Sequence, residues 1–254
     1  SAATTVPNTW PGDANYDLTA NFLDLFYVGA AYSTTGTPWA TIDNTYNPFP
    51  STDWTGNSLY LVNAKHADCN GDGSIDSNDV VAINQNYGLT HAFKDGTTHL
   101  TAQNVATQYP IAITSNIDSV YYGQNLNLSF SIGNSGTPVD SIYGLGFTLT
   151  YPDQLSDALY TNLSTSGSML GTSGTNLIKL SKILTNNTID LAVVKTDHQN
   201  GLTINGNAFT LQLQANQQIP NDSIFNFSIS NLHAITKTGY SIPFTSTSKA
   251  IKFK

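Results

Sequence analysis

The sequence predicts a multidomain chain: a small α-helical module built on two loop-and-helix repeats, followed by an all-β antiparallel sandwich. Three observations carry that prediction. A twelve-residue run of oxygen-bearing side chains occurs twice within the first 91 residues, in one register. Apolar residues follow each run at helical spacing. Beyond residue 110 the apolar period becomes two.

Composition limits the partners. The 254 residues include 17 Asp and 9 Lys, with no Glu and no Arg, so the surface must be built largely from Ser, Thr, Asn and Gln. With 39% hydrophobic residues, the chain is long enough to bury real cores. Residues 1–91 carry nine Asp against one Lys, a balance of −8, whereas residues 111–254 carry seven of each. An acidic N-terminal third argues against nucleic acid and for a cationic partner, a divalent ion first of all. No run approaches the roughly 18 apolar residues of a membrane span. The opening Ser-Ala-Ala-Thr-Thr is neither a signal peptide nor an initiator sequence, so a processed or excised extracellular chain is expected. Cys69 is the single cysteine and permits no internal disulfide.

The first element is best read from its second copy. Asp68, Asn70, Asp72, Ser74, Asp76 and Asp79 occupy positions 1, 3, 5, 7, 9 and 12 of a loop with Gly73 at position 6. Hard oxygen donors at that spacing converge on one point as the backbone curls, which is the chemistry of a calcium loop. A shift of 55 residues places Asp13, Asn15, Asp17, Thr19, Asn21 and Asp24 on the same positions. The same shift puts Leu25, Val28 and Tyr32 on Val80, Ile83 and Tyr87, predicting a helix after each loop and a shared core between them. Loop 1 departs at Leu18, where the turn glycine should stand, and at Ala20, opposite Ile75, which is expected to pair with its counterpart across the two loops. Calcium at two sites is therefore expected, more firmly at 68–79 than at 13–24.

Paired loops closed by Asp, each followed by a helix, resemble the dockerin modules of cellulosomes and surface scaffolds. Trp10-Pro-Gly-Asp-Ala-Asn-Tyr-Asp17 and Lys65-His-Ala-Asp-Cys-Asn-Gly-Asp-Gly73 are similar to dockerin-like modules in large secreted proteins of Bacteroidota. The resemblance covers residues 10–91, within a module assigned to 1–91. It departs at 33–64, an insertion carrying Trp39, Tyr46, Phe49, Trp54 and Tyr60, whose aromatics either pack the loop down or stack on sugars. In dockerins, positions 10 and 11 of each loop help choose the partner; here they are Phe22-Leu23 and Ser77-Asn78. Phe22, Leu23, Phe26 and Tyr27 form an apolar surplus on helix 1 that helix 2 lacks. They are the expected partner-binding residues, covered by the insertion, by this chain's own sandwich or by another chain in head-to-tail self-assembly.

Residues 92–110, beginning near Lys94-Asp-Gly-Thr-Thr-His99, read as a connector. From 111 to 254, Asn125-Leu-Asn-Leu-Ser-Phe-Ser-Ile132, Phe209-Thr-Leu-Gln-Leu-Gln214 and Ile224-Phe-Asn-Phe-Ser-Ile-Ser230 alternate cleanly, predicting eight to ten antiparallel strands. Tyr143-Gly-Leu-Gly-Phe-Thr-Leu-Thr-Tyr151 and Ile189-Asp-Leu-Ala-Val-Val194 resemble strand signatures of cohesins and related carbohydrate-binding modules, which implies a cohesin-like jelly roll.

Catalysis is not expected. Without Glu, a carboxylate pair must come from Asp, and Asp197-His198 is the most suggestive neighbourhood. No nucleophile elbow, zinc-protease motif, phosphate loop or dinucleotide fingerprint occurs. His66, His91, His99, His198 and His233 show no metal-ligand spacing. Asp118-Ser-Val, Asp140-Ser-Ile and Asp222-Ser-Ile resemble the acceptor of Bacteroidota O-glycosylation, which would place glycans on Ser119, Ser141 and Ser223. The expectation is an extracellular or cell-surface structural and adhesion module; the alternative is a carbohydrate-binding segment of a polysaccharide-degrading system.

Overall fold

A computed structural model describes residues 8–56, 58–59, 62–92, 108–152, 162–185, 187–199, 202–214 and 222–254. In chain order these form β1 (Asn8–Thr9), α1 (Asp24–Ala30), β2 (Phe49–Pro50), a 3-10 turn (Ala64–His66) and α2 (Ser77–Gln85), followed by twelve further strands. They are β3 (Tyr109–Ser115), β4 (Ser119–Val120), β5 (Asn125–Ile132), β6 (Val139–Thr150), β7 (Asn162–Ser164) and β8 (Leu177–Leu184). Then come β9 (Thr188–Lys195), β10 (Leu202–Ile204), β11 (Gly206–Gln214), β12 (Ile224–Thr236), β13 (Phe244–Thr245) and β14 (Ser248–Phe253). Most of the expected 92–110 connector, with His99, lies outside the described residues.

Alternation builds the sandwich. In β5, Leu126, Leu128, Phe130 and Ile132 point inward while the residues between them do not, and β11 pairs with β5 in a matching register broken by one bulge. One sheet runs β13-β3-β5-β11-β7; the other runs β4-β14-β12-β6-β9-β8, with β10 beside β6. Phe130, Phe147 and Phe209 meet at ring separations of 4.9–5.5 Å between the two sheets. The sheets are mixed rather than wholly antiparallel, since β4 pairs with β14 and β13 with β3 in parallel. The sandwich also has more strands than the eight to ten expected. The extra ones, including β4, β7, β10 and β13, are two or three residues long, too short to show a period.

Strand β9 is buried along nearly its whole length, on both faces. Leu191 and Val193 enter the sandwich core, while Ala192 and Val194 face outward beneath the N-terminal residues. A strand covered on both sides reads as a continuous apolar run, as Ile189-Asp-Leu-Ala-Val-Val194 does.

Residues 8–92 are not the predominantly helical body expected. Among the described residues they hold two short helices, a 3-10 turn and the two-residue strands β1 and β2 paired antiparallel, and the rest is loop and isolated bridge. The predicted shared core does form: Leu25, Val28 and Ile83 are fully buried together, with Val80 beside them and Tyr32 and Tyr87 packed at the edge. The insertion folds over loop 2. Trp39 and Trp54 are only 5% and 7% exposed, Trp39 stacks on Phe49, and the Trp39 main-chain N–H donates to the Gly71 carbonyl. These indoles are packing groups, which removes them as a sugar platform.

Candidate metal loops and the face they present

The two loops share one hydrogen-bond framework. The N–H groups of Asn15 and Asn70 donate to Asp24 and Asp79; those of Leu18 and Gly73 donate to Asp13 and Asp68. Asp17 and Asp72 N–H reach the amide oxygens of Asn15 and Asn70, and Thr19 and Ser74 N–H reach Asp17 and Asp72. Asn21 and Asp76 N–H donate to Asp24 and Asp79, and Leu23 and Asn78 N–H donate to Asn21 and Asp76. Even the Asn15 and Asn70 amide groups donate alike, to Asp17 and Asp72 at 2.8 and 2.9 Å. These seven bonds of loop 1 each recur 55 residues on; loop 2 adds donations from Cys69 N–H to Asp79 and from Gly71 N–H to Asp68.

The duplication extends past the helices. After α1 the chain returns to loop 2, where Ser33 N–H donates to Ile75, Ile75 N–H to Thr34 and Gly36 N–H to Gly73. After α2 it returns to loop 1 with the counterparts: Gly88 to Ala20, Ala20 to Leu89 and His91 to Leu18. Positions 8 of the two loops therefore do not pair with each other as expected. Their backbone groups are taken by the tail of the opposite helix. The turn at position 6 needs a left-handed residue, and Gly73 and Leu18 both sit at φ 87°.

The electrostatics are unusual for a protein surface. Asp13, Asp24, Asp68 and Asp79 have no solvent exposure. Burial pushes Asp68 up to about 7 and Asp79 up to about 8, with the Asp68 carboxylate adding to the effect on Asp79. Asp24 is raised well above the usual carboxylate range by burial and by Asp13 and Asp17. Loop 1 carries a neighbour that loop 2 lacks: His91 Nε2 lies 2.7 Å from Asp13 Oδ2, with its ring stacked on Trp10 at 4.1 Å. Gly36 holds the equivalent place at loop 2. His91 is a site residue that sequence spacing did not reveal, because it lies 78 positions from Asp13.

Among the described residues, no group of three or more His, Cys or Asp side chains is gathered closely enough to hold a metal ion as it stands. The donor set nevertheless suits a hard cation. Asp13, Asn15, Asp17, Asp24 and Asp68, Asn70, Asp72, Asp79 offer carboxylate and amide oxygens on shared loops, where charge is buried at a cost that a divalent ion would offset.

Of the expected partner-binding residues, Phe22 and Phe26 are covered by this chain's own sandwich. Phe22, Phe26 and Tyr27 are at most 1% exposed, and Leu23 is partly buried. Phe22 and Phe26 lie over Gly146 and Gly144 of β6, where an added Cβ would come within 2.7 and 2.9 Å of the rings. Tyr87 Oη donates to Asp190 Oδ2 on β9 at 2.6 Å and accepts from Phe22 N–H, so one hydroxyl ties the segment before α1 and the segment after α2 to the sheet. Lys182 Nζ donates to the Asn84 carbonyl, and His198 donates to the Tyr32 carbonyl. Head-to-tail assembly through this apolar face would require the module to leave its own sheet.

Asp197 and His198 form no acid-base pair. Although partial burial opposes ionisation, the Lys195 ammonium 2.7 Å away and the Gln199 N–H hold Asp197 below the usual range. Ser119, Ser141 and Ser223 are half-buried, each next to an aspartate engaged with a lysine or a threonine. Among the described residues, no helix is long and apolar enough to cross a membrane.

No protein-family profile matches the chain, and no characterised relative matches it in sequence. Solved structures similar to part of the chain include cohesin modules. One, from a family 33 glycoside hydrolase of Clostridium perfringens, is 16% identical with a TM-score of 0.45, over 59% of this chain and 98% of its own. A non-cellulosomal cohesin of the archaeon Archaeoglobus fulgidus is 13% identical, TM-score 0.42, over 57% and 91%. A chain of a type I cohesin–dockerin complex from Clostridium thermocellum is 11% identical, TM-score 0.46, over 57% and 99%. At such scores they describe a broad similarity of shape and nothing more.

Proposed function

We propose that this chain is a non-catalytic, calcium-stabilised structural and adhesion module, displayed outside the cell, that works through protein contacts of the dockerin–cohesin type. The observation that carries the reading is the exact-register duplication of two hydrogen-bonded acidic loops, each burying carboxylates at a helix start. Burial without a nearby lysine is costly for Asp68 and Asp79, and a bound divalent ion would remove that cost. The dockerin-type contact, in this reading, is the one made in cis, with Phe22 and Phe26 on β6 of the same chain. The three Asp-Ser-apolar sites, Ser119, Ser141 and Ser223, belong to the same proposal as surface glycan acceptors.

Isothermal titration of metal-free protein with calcium chloride tests it. Two binding events are expected, with Asp13→Ala removing one and Asp68→Ala the other. Loop 2 should bind more tightly, because loop 1 holds Leu18 in a left-handed turn and already engages Asp13 with His91. Absence of any calcium heat would overturn the reading. Equal affinities in the two variants would overturn only the ranking.

A further inference from the structure

At one end of the sandwich the strands part. Ser141, in β6, sits at φ 57°, and the β6–β12 pairing slips between Ile235 and Thr236. The β6–β10 register slips as well. Bulges of this kind re-aim side chains and end strand pairing. Here they open a cleft of about 400 Å³ between the first residue of β3 and the turn that follows β12.

The turn is held rigidly. Thr236 N–H donates to the Tyr240 carbonyl, Tyr240 N–H donates back to Thr236 Oγ1, and Gly239 N–H donates to the Thr236 carbonyl. Tyr109 N–H, on the facing wall, donates to the Pro243 carbonyl. Two tyrosine rings, Tyr109 and Tyr240, thus stand at fixed places around a floor that includes Ile242 and Pro243.

Polar atoms at the mouth are uncommitted. Asp140 spends one oxygen on Thr203 Oγ1 at 2.5 Å, and its other oxygen has no partner among the described residues. The same holds for the hydroxyls of Tyr109, Tyr240 and Ser141. Among the described residues no lysine or histidine lines the cleft, and the nearby Lys237 ammonium is given to the His198 carbonyl. A lone carboxylate without a cation repels anions and accepts hydrogen bonds from hydroxyl groups. The hydroxyl side chains both donate and accept. The aromatic and aliphatic surfaces offer an apolar face for C–H groups. The cleft falls in the lower part of the usual range for small-ligand sites, about 300–1,000 Å³.

We infer that this cleft is a binding site for a neutral saccharide, one sugar ring lying on the tyrosine and proline surface with its hydroxyls donated to Asp140. It is independent of the calcium loops and of the contact between the helices and β6. An ammonium group would also tolerate a carboxylate between two tyrosines. It would leave the serine and tyrosine hydroxyls without acceptors to satisfy, so the saccharide is the better match.

The test uses the full chain made in a host that does not O-glycosylate, so that Ser141 is bare. Glucose, galactose, mannose, cellobiose, maltose and lactose are presented singly in saturation-transfer NMR, with tetramethylammonium as the cationic probe. At least one sugar should receive saturation on its ring C–H protons. The signal should fall at least fivefold in Tyr240→Ala and in Asp140→Asn, two exposed positions, with the melting temperature expected to stay unchanged. Silence from every sugar, or an undiminished signal in both variants, would overturn the inference. So would saturation of tetramethylammonium alone, which would make the cleft a cation cage.

Discussion

Asp68 and Asp79 concentrate the energetic question in single carboxyl groups. Unfolded, they ionise near pH 4; folded without a cation, they hold their protons to about pH 7 and 8. The folded state then binds more protons than the unfolded one, so stability is fully present below the unfolded value and is lost as pH rises through the folded values. Between about pH 6.5 and 8.5 His66, held near 3 by burial, is neutral in the folded chain, while the unfolded imidazole goes from half-charged to neutral and offsets part of the carboxylate slope below about pH 7.5. With a chelator present, the melting temperature should fall by several degrees across that window, and calcium should flatten the slope. A flat chelated profile would contradict the buried-carboxylate account. Gly73 gives a second test. A Cβ there would lie 2.9 Å from the Gly36 carbonyl oxygen at φ 87°, so Gly73→Ala should destabilise by about 1–3 kcal/mol in denaturant melts. Both loops were legible because a twelve-residue loop writes its donors at fixed local offsets. His91 was not, since only the tertiary return of the α2 tail brings it to Asp13.

Between elements, the decisive fit is that of Phe22 and Phe26 on the Gly144-Leu-Gly146 stretch of β6. The sequence marked the phenylalanines as surplus to the helix pair but left their cover open. It read the glycines only as part of a strand pattern. Neither half names the other, because the complementarity of a flat spot and a ring appears only when the two are opposed. Tyr87 is the polar counterpart of that fit. Tyr87→Phe would leave Asp190 with Thr148 as its remaining partner among the described side chains and should cost about 1–3 kcal/mol, read from urea denaturation. Gly146→Val should be more severe, forcing Phe22 away and lifting α1 from the sheet. Fluorescence or proteolysis should then report the N-terminal residues open before the sandwich melts. The short parallel edge strands were illegible for a simpler reason: two residues cannot display a period.

For the molecule as a whole, the buried interface makes the loops and the sandwich one cooperative unit. Phe22, Phe26, Leu25 and Val28 share a core with Tyr143, Ile178, Ala192 and Val194. Stabilising the loops should therefore stabilise the body they are seated on, by mass action through whatever binds the folded loops and not the unfolded chain. Differential scanning calorimetry of the full chain at pH 7.5, once with excess calcium and once with chelator, tests this most directly. The account predicts a single transition in calcium at a clearly higher temperature than in chelator. Superimposable traces under the two conditions would contradict it.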